Sequence, residues 1–393
     1  MKNLNVLQVA AALSGQGGVE RGTVEMAKYL VSRGVGSFVT SRYGSLAEQL
    51  TEEGSTHIDL PLERRDPITI VRNAFRIARV IRQRDISIVH ASSRAPAWSA
   101  FWACKMTGVP FVTTFHGRYG HRFAIKRLYN SVMTRGRQTI AGSKFIQQHI
   151  VDRYGIPEER ITLAYRGFNP ERIAPEMVQQ SQIDELRDSW GVDSSTTVFV
   201  LIGRITRLKG HALMFRALAN VERRDWIAVI VGGEGKKHEY FRELQNLVND
   251  LGLEQHIQFA GVQSNVTPYY AAADVVVVPS IEPESFGLVA VEGQAMGKPV
   301  IATAHGGSVE TIQPGKTGLL VDYRDPTEMT AAFEKVLSMS RLDRETMGEE
   351  GQRWVLEHFT VDKMCQGEFS AYEKVLGTNQ REVGPTAEER KAA

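Results

Sequence analysis

The sequence predicts an α/β protein made of two parallel-sheet units in series, and three observations carry that expectation. Short apolar runs alternate with amphipathic stretches, and the alternation restarts after a polar, turn-rich passage at 167–182. The charge also changes sign between the halves. Residues 1–175 hold 25 Lys/Arg against 13 Asp/Glu, a balance of +12, and the remainder holds 22 against 32, a balance of −10. With 393 residues, 42% of them hydrophobic and 23% charged, the chain can supply two ordinary domains with a core each.

Taken in order, NVLQVAA, GSFVTSR, SIVHASS, PFVTTFHG and QTIAGS read as strands of the first unit, because each is a short apolar run bounded by turn residues. Between them, VERGTVEMAKYLVSRG and PITIVRNAFRIARVIRQRD have helical spacing. The second unit offers TVFVLIGR, WIAVIVGG, IQFAG, DVVVVPS, PVIAT and GLLVD. Several of these runs are continuously apolar, as expected of strands in a parallel sheet covered by helices on both faces. The stretch 350–377 reads as terminal helices, and the polar TNQREVGPTAEERKAA at 378–393 as a disordered tail.

Composition narrows the function classes. Cys104 and Cys365 stand far apart with no CxxC spacing, so neither a disulfide framework nor a zinc site is expected, and a reducing cytoplasm fits best. The N-terminal run reads as a strand and a glycine turn rather than a signal peptide, and no run approaches the roughly 18 apolar residues needed to span a bilayer. Between Ile86 and Val151 there is no acidic residue, which suggests an anionic partner for the first half or, alternatively, a merely solvated basic surface. No nucleic-acid module is recognisable, and the acidic second half argues against such a partner.

Four stretches carry candidate chemistry. In 13-LSGQGGVERG-22 the glycines follow a strand and open a helix, so backbone N–H groups near Gly17 and Gly18 can receive an anion or a sugar, or else simply form a tight turn. Glu20 stands where a dinucleotide fingerprint has its third glycine. The segment 314-PGKTG-318 lacks the first glycine of a P-loop and reads as a turn. In 201-LIGRITRLKGH-211, Arg204 and Lys209 fall just beyond a strand end, where two cations can grip a diphosphate or remain surface bases. In 282-EPESFGLVAVEGQAMGKPV-300, a helix after the turn would aim the amides of Phe286, Gly287 and Leu288 at a ligand. Glu284 and Glu292 could then accept hydrogen bonds from vicinal sugar hydroxyls, or else cap the helix and face solvent.

Together, GGVERG, TTFHG at 113–117, AGSKFIQQHI at 141–150, GRITRLKG at 203–210, PSIEPESFGLVAVEGQAMGKPVIAT at 279–303 and GGSVETIQPGKTGLLV at 306–321 resemble a retaining nucleotide-sugar glycosyltransferase of the GT-B group, family 4-like and group 1. The resemblance spans nearly the whole ordered chain. It implies two Rossmann-like domains facing a central cleft: an acceptor-binding domain at 1–172 and a nucleotide-sugar-binding domain at 173–355. Terminal helices at 356–377 would pack back on the first domain.

Position by position, the resemblance implies that Glu292 holds the donor ribose and Glu284 lies beside the donor sugar. Arg204 and Lys209 neutralise the diphosphate with the amides of Phe286, Gly287 and Leu288. Gly17 and Gly18 approach the donor phosphate or the acceptor, and His116 faces the reacting sugar. The donor is UDP- or GDP-linked, with no cofactor and no metal, since no DxD motif stands beside these strands. The acceptor is a glycan or glycolipid, as in synthesis of lipopolysaccharide or another cell-surface glycan. For such an acceptor Arg72, Arg76, Arg79 and Arg82, with Phe75, Ile77 and Val80, suggest docking at the anionic inner face of the plasma membrane. Where many relatives have Asn-Gly, this sequence has 165-YRGFNP-170, which leaves Arg166 without an assigned role. A nucleotide-sugar epimerase and a non-catalytic nucleotide-sugar binder are the alternative readings.

Overall fold

A computed structural model describes residues 4–15, 17–119, 124–234 and 238–382. The chain divides into two compact units, one formed by Met1–Tyr165 with Val361–Ala393 and the other by Arg166–Thr360. Unit one therefore takes both ends of the chain.

Its strands are β1 (Asn5–Ala12), β2 (Gly36–Arg42), β3 (Thr56–Asp59), β4 (Ile88–Ala91), β5 (Phe111–Phe115), β6 (Gln138–Ala141) and β7 (Ile161–Leu163). They form one parallel sheet of order β3-β2-β1-β4-β5-β6-β7. Unit two contains β8 (Thr197–Ile202), β9 (Trp226–Val231), β10 (Ile257–Gly261), β11 (Val275–Val278), β12 (Val300–Thr303) and β13 (Gly318–Val321). These are also all parallel, in the order β10-β9-β8-β11-β12-β13. Each sheet reverses direction once along its order, between β1 and β4 and between β8 and β11. In open sheets of this kind, ligands collect at the strand ends beside that reversal.

Side chains explain why the strands read as continuous apolar runs. Along β8, Phe199 and Leu201 pack with Trp226, Phe215 and Phe333, while Val198, Val200 and Ile202 pack with Tyr270, Val276 and Ala290. The two-residue period sends alternate side chains to opposite faces, and helices cover both. In unit one, Leu7 and Val9 join Ile77, Phe101 and Phe115 on one face. On the other face Val6, Ile88, Val112 and Ile140 meet Met26 and Leu30 together with Met364, Phe369 and Tyr372. The last three belong to the helix Val361–Glu382, so the C-terminal segment completes the core of the N-terminal unit. Its Tyr372 hydroxyl bonds His90 Nδ1 at 2.7 Å, and His90 Nε2 reaches Thr114 Oγ1 at 2.6 Å. Burial holds the His90 imidazolium pKa down to about 3.

The helix Val361–Glu382 continues into the segment expected as a disordered tail, and residues 383–393 of that tail lie outside the described residues. PGKTG forms a tight turn closed by a Gly315 N–H bond to Gly318 O at 2.8 Å. One sequence expectation is corrected. Ile77 is fully buried and Val80 packs against the core, so neither offers an apolar surface to a partner, whereas Phe75 is 64% exposed. No helix among the described residues is long and apolar enough to cross a membrane, and Cys104 and Cys365 are free and buried.

Candidate functional site

In unit two the candidate residues gather at the C-terminal ends of β8 and β11. β8 hands the chain to a loop containing Arg204 and Lys209, and β11 hands it to a loop containing Glu284. An Ile281 N–H bond to Leu208 O at 2.9 Å stitches the two loops together. Lys209 Nζ then donates to Glu284 Oε1 at 2.6 Å, joining two residues that come from separate motifs. Ser280 Oγ donates to the same carboxylate oxygen at 2.6 Å. Burial alone would raise the Glu284 carboxyl pKa, but the Lys209 charge and the bonds from Lys209 and Ser280 outweigh it and hold the group below the usual carboxylate range.

A second turn fixes the Glu284 backbone. Gly307 N–H donates to Glu284 O at 2.7 Å, and Glu284 pairs with Gly306 in a parallel bridge. Gly306 has φ +63°, and a Cβ there would lie 2.4 Å from Glu284 O, so only glycine allows this approach. Beneath the turn, Ser280 O accepts from Thr303 Oγ1 at 2.6 Å and from His305 Nε2 at 2.6 Å. The His305 ring stacks on Tyr323 with centroids 4.5 Å apart. Arg204 is exposed and makes no hydrogen bond or ion pair among the described residues, which leaves its guanidinium available.

The helix Leu288–Ala295 begins just after Gly287; its Ala290 N–H turns back to Gly287 O at 3.0 Å, while the Leu288 and Val289 amides have no acceptor within the helix. The Phe286 side chain is 2% exposed and its ring meets Phe359 edge-on at 5.4 Å, so only its main chain can serve a ligand. Glu292, on the same helix, accepts from the Tyr270 hydroxyl at 2.8 Å. Burial, the Glu292 charge and that bond all keep the Tyr270 phenol protonated well above its ordinary range.

The other candidates belong to unit one, at the ends of β1, β4 and β5. Gly17 precedes the helix Gly18–Ser32 in extended backbone, with φ −138°. A Cβ on Gly17 would meet none of the described atoms within 4 Å, so neither packing nor strain requires glycine there. Glu20 explains the departure from the dinucleotide pattern: its carboxylate accepts the Gly15 N–H at 2.7 Å and the Ser14 hydroxyl at 3.0 Å, bracing the loop from within. His116 follows β5, half-buried, in the wall of a cavity of about 690 Å³ shared with Ser93, Arg94, Tyr119 and Lys126. Arg94 lies 4.4 Å over the Tyr119 ring and donates to Asn130 Oδ1 at 3.0 Å. Burial, opposed by Arg94, pushes the Tyr119 phenol up to about 12. Among the described residues no group of three or more His, Cys, Asp or Glu is placed to hold a metal ion.

Sequence reasoning named Glu20 only as a departure from the dinucleotide pattern, and missed Ser280, Tyr270 and His305. Ser280 and His305 each sit directly beyond a strand end, the one signal that could have flagged them. Tyr270 lies mid-helix and carries no such signal.

Comparison with known proteins places this geometry. Residues 182–354 match the glycosyl transferases group 1 family, and residues 16–172 match glycosyltransferase family 4. A solved glycosyltransferase from Rickettsia africae superposes with a TM-score of 0.86 at 32% identity, covering 96% of this chain and 99% of that one. The D-inositol 3-phosphate glycosyltransferase of Frankia alni is 30% identical over 278 residues, 64% of this chain and 65% of that protein. The GDP-mannose-dependent alpha-(1-6)-phosphatidylinositol monomannoside mannosyltransferase of Mycolicibacterium smegmatis is 28% identical over 306 residues, 73% of this chain and 76% of that one. With two parallel-sheet α/β units and matches along both, the chain belongs to the GT-B glycosyltransferases, with a family 4 N-terminal region and a group 1 C-terminal region.

Proposed function

We propose that the protein transfers a hexosyl unit from a nucleoside-diphosphate sugar to a hydroxyl of a cell-surface glycan or glycolipid, with retention of the anomeric configuration. The observation that carries this reading is the Lys209–Glu284 pair at 2.6 Å, set at the sheet reversal of unit two with Arg204, which is unpaired among the described residues, and the first turn of the helix Leu288–Ala295. Lys209 uses one ammonium proton on Glu284 and keeps two for diphosphate oxygens. Arg204 brings a planar fork suited to the same group. Glu292 holds the ribose diol, and Glu284, kept ionised, borders the sugar. His116, Gly17 and Gly18, all in unit one, are assigned as further substrate contacts, His116 for the sugar and the two glycines for donor phosphate or acceptor.

In the reaction the bond between the anomeric carbon and the diphosphate oxygen breaks, its electron pair leaving with the diphosphate. The acceptor oxygen bonds to that carbon from the same face, and its proton passes to the departing phosphate. Charge grows on the diphosphate as the bond stretches, so fixed cations there lower the barrier more than they tighten ground-state binding. The Mycolicibacterium smegmatis relative supports a nucleotide-linked donor by its GDP-mannose dependence. The Frankia alni relative supports a small phosphorylated polyol as one class of acceptor in the family. A cytoplasmic enzyme acting at the inner membrane surface fits a role in lipopolysaccharide or related glycan assembly.

A panel of UDP- and GDP-sugars screened by thermal shift identifies the donor, because a ligand that binds the native state stabilises it. With that donor, Lys209→Ala should lower kcat about 10²–10³-fold, roughly 2.7–4 kcal/mol, with a smaller rise in KM. NMR of the product should show the donor's anomeric configuration. An inverted linkage, or a Lys209→Ala effect confined to KM, overturns the assignment.

A further inference from the structure

Unit two has a second cavity, at the opposite edge of its sheet from Lys209 and Glu284. It measures about 470 Å³ and is walled by the residues that lead into β8, β11 and β12, together with the helix Gln180–Ser189 and the first turn of the helix Arg341–His358. β8 runs six residues, from Thr197 to Ile202, so roughly 20 Å of strand separates this cavity from the loop of Arg204 and Lys209.

The second half of the chain is acidic, yet this cavity gathers Arg187, Lys298, Arg341 and Arg344 against Asp274 and Glu345. Both carboxylates are already engaged. Arg187 Nη1 meets Asp274 Oδ2 at 3.3 Å, and Arg341 Nε meets Glu345 Oε1 at 2.8 Å. Lys298 and Arg344, both half-buried, are left with main-chain carbonyls at helix ends. Lys298 Nζ donates to Ala271 O at 2.9 Å, and Arg344 Nη1 to Val336 O at 3.2 Å and Met339 O at 3.1 Å. An ammonium has three protons and a guanidinium five. Two protons of Lys298 and those on Nε and Nη2 of Arg344 therefore meet no protein acceptor among the described residues. Burial holds the Lys298 pKa below its ordinary value, and the Asp274 charge only partly opposes it. A cation in that position favours an incoming anion, because a buried charge is costly until it is paired.

The other walls select what carries the anion. No aromatic residue lines the cavity among the described residues, so a nucleobase finds no surface to stack on. The Ser195 and Thr196 hydroxyls donate to Asp193 Oδ1 at 2.7 Å and 2.9 Å, which leaves their oxygens able to accept from hydroxyls of a ligand. We propose that this cavity binds a phosphorylated polyol or sugar, whose phosphate oxygens take the open protons of Lys298 and Arg344 and whose hydroxyls meet Ser195 and Thr196. It is a second ligand site, separate from the donor site proposed above.

Isothermal titration of the full chain with sorbitol 6-phosphate, sorbitol and inorganic phosphate tests it. Sorbitol 6-phosphate should bind, sorbitol should not, and inorganic phosphate should bind more weakly for want of the hydroxyls. Lys298→Met keeps the length of the side chain and removes its charge, and should weaken sorbitol 6-phosphate about 10–100-fold, as expected for one charged hydrogen bond. Because Lys298 also holds Ala271 O, Ser194→Glu serves as a companion: it sets a competing carboxylate on an exposed turn of the cavity wall, and should weaken binding without disturbing the core. Lys209→Ala should leave the affinity unchanged. Failure of sorbitol 6-phosphate to bind, or equal affinity in the wild type and both cavity variants, overturns the proposal. So does binding lost in Lys209→Ala and kept in Lys298→Met and Ser194→Glu, which places the phosphate in the donor site. Inorganic phosphate binding as tightly as the ester overturns the polyol. Nucleotide-sugar binding, read by thermal shift and expected to survive Lys298→Met, tests the transferase reading separately.

Discussion

Glu292 and Tyr270 show how the proposed ribose contact and the core share one hydrogen bond. Glu292 accepts from a phenol that is itself fully buried, so the carboxylate serves the fold as well as any ribose. Glu292→Ala should therefore raise donor KM, at a cost of roughly 1.5–3 kcal/mol for a charged hydrogen bond, and also lower stability by about 1–3 kcal/mol, because the Tyr270 hydroxyl is left unsatisfied. Adding Tyr270→Phe should recover most of the stability and none of the donor affinity. Thermal denaturation and donor titration of the single and double variants separate the two effects, and a double variant that regains affinity would remove Glu292 from the ribose. Sequence alone names Lys209 and Glu284 from two stretches, each through its place at a strand end. That they touch depends on β8 and β11 being neighbours, a fact of sheet order that no local spacing encodes. His305 and Tyr270 stayed illegible for the same reason, since their partners Ser280 and Glu292 lie elsewhere in the chain, whereas Ser280 bonds Glu284 within one stretch.

Among elements, the turn at Gly306 and Gly307 decides where Glu284 stands. Gly306→Ala introduces both a left-handed alanine and a Cβ 2.4 Å from Glu284 O. Gly252, also at φ +63° but with no neighbour within 4 Å, isolates the first effect. Gly252→Ala should cost about 1–2 kcal/mol of backbone strain, and Gly306→Ala should cost more and lower kcat as well, since relieving the contact displaces Glu284. Melting curves and initial rates check this, and equal losses in the two variants would show that the close approach is unimportant. Eleven of the strands were legible because each is a continuous apolar run between turn residues. β3, with the sequence THID, and β7, with ITL, were not. Both are very short and sit at the sheet edges, where pairing on one side replaces apolar burial on two, so nothing in their composition marks them. The helix Pro67–Gln83 was legible as a helix, but the same 3.6-residue period left open which apolar residues face the core, and packing against the helix Arg94–Thr107 assigns Ile77 and Val80 inward.

Over the whole molecule, two buried histidines make stability sensitive to mild acid. The His90 pKa falls from 6.5 to about 3 and that of His211 to about 4, both chiefly through desolvation. A depressed folded-state pKa means that the unfolded chain takes the proton first. Each group thus contributes stability that is full above pH 6.5 and is lost as pH falls toward the folded value, at up to about 1.4 kcal/mol per pH unit. His90→Gln should flatten the loss in unit one between pH 6 and 4, measured as hydrogen-exchange protection of the helix Val361–Glu382, and a wild-type slope in that variant would contradict the assignment. The same helix governs when the protein can exist at all. A ribosome makes Tyr165 long before it makes Val361, with all of unit two in between. At roughly 5–20 residues per second, the sheet face that awaits Phe369 and Tyr372 stays uncovered for about 10–40 s, while unit two already has every residue it needs. Completion of the first-made unit is thereby deferred until the helix Val361–Glu382 has been made, and any product cut short before that helix carries an open hydrophobic face by which chaperones and proteases can recognise it as unfinished.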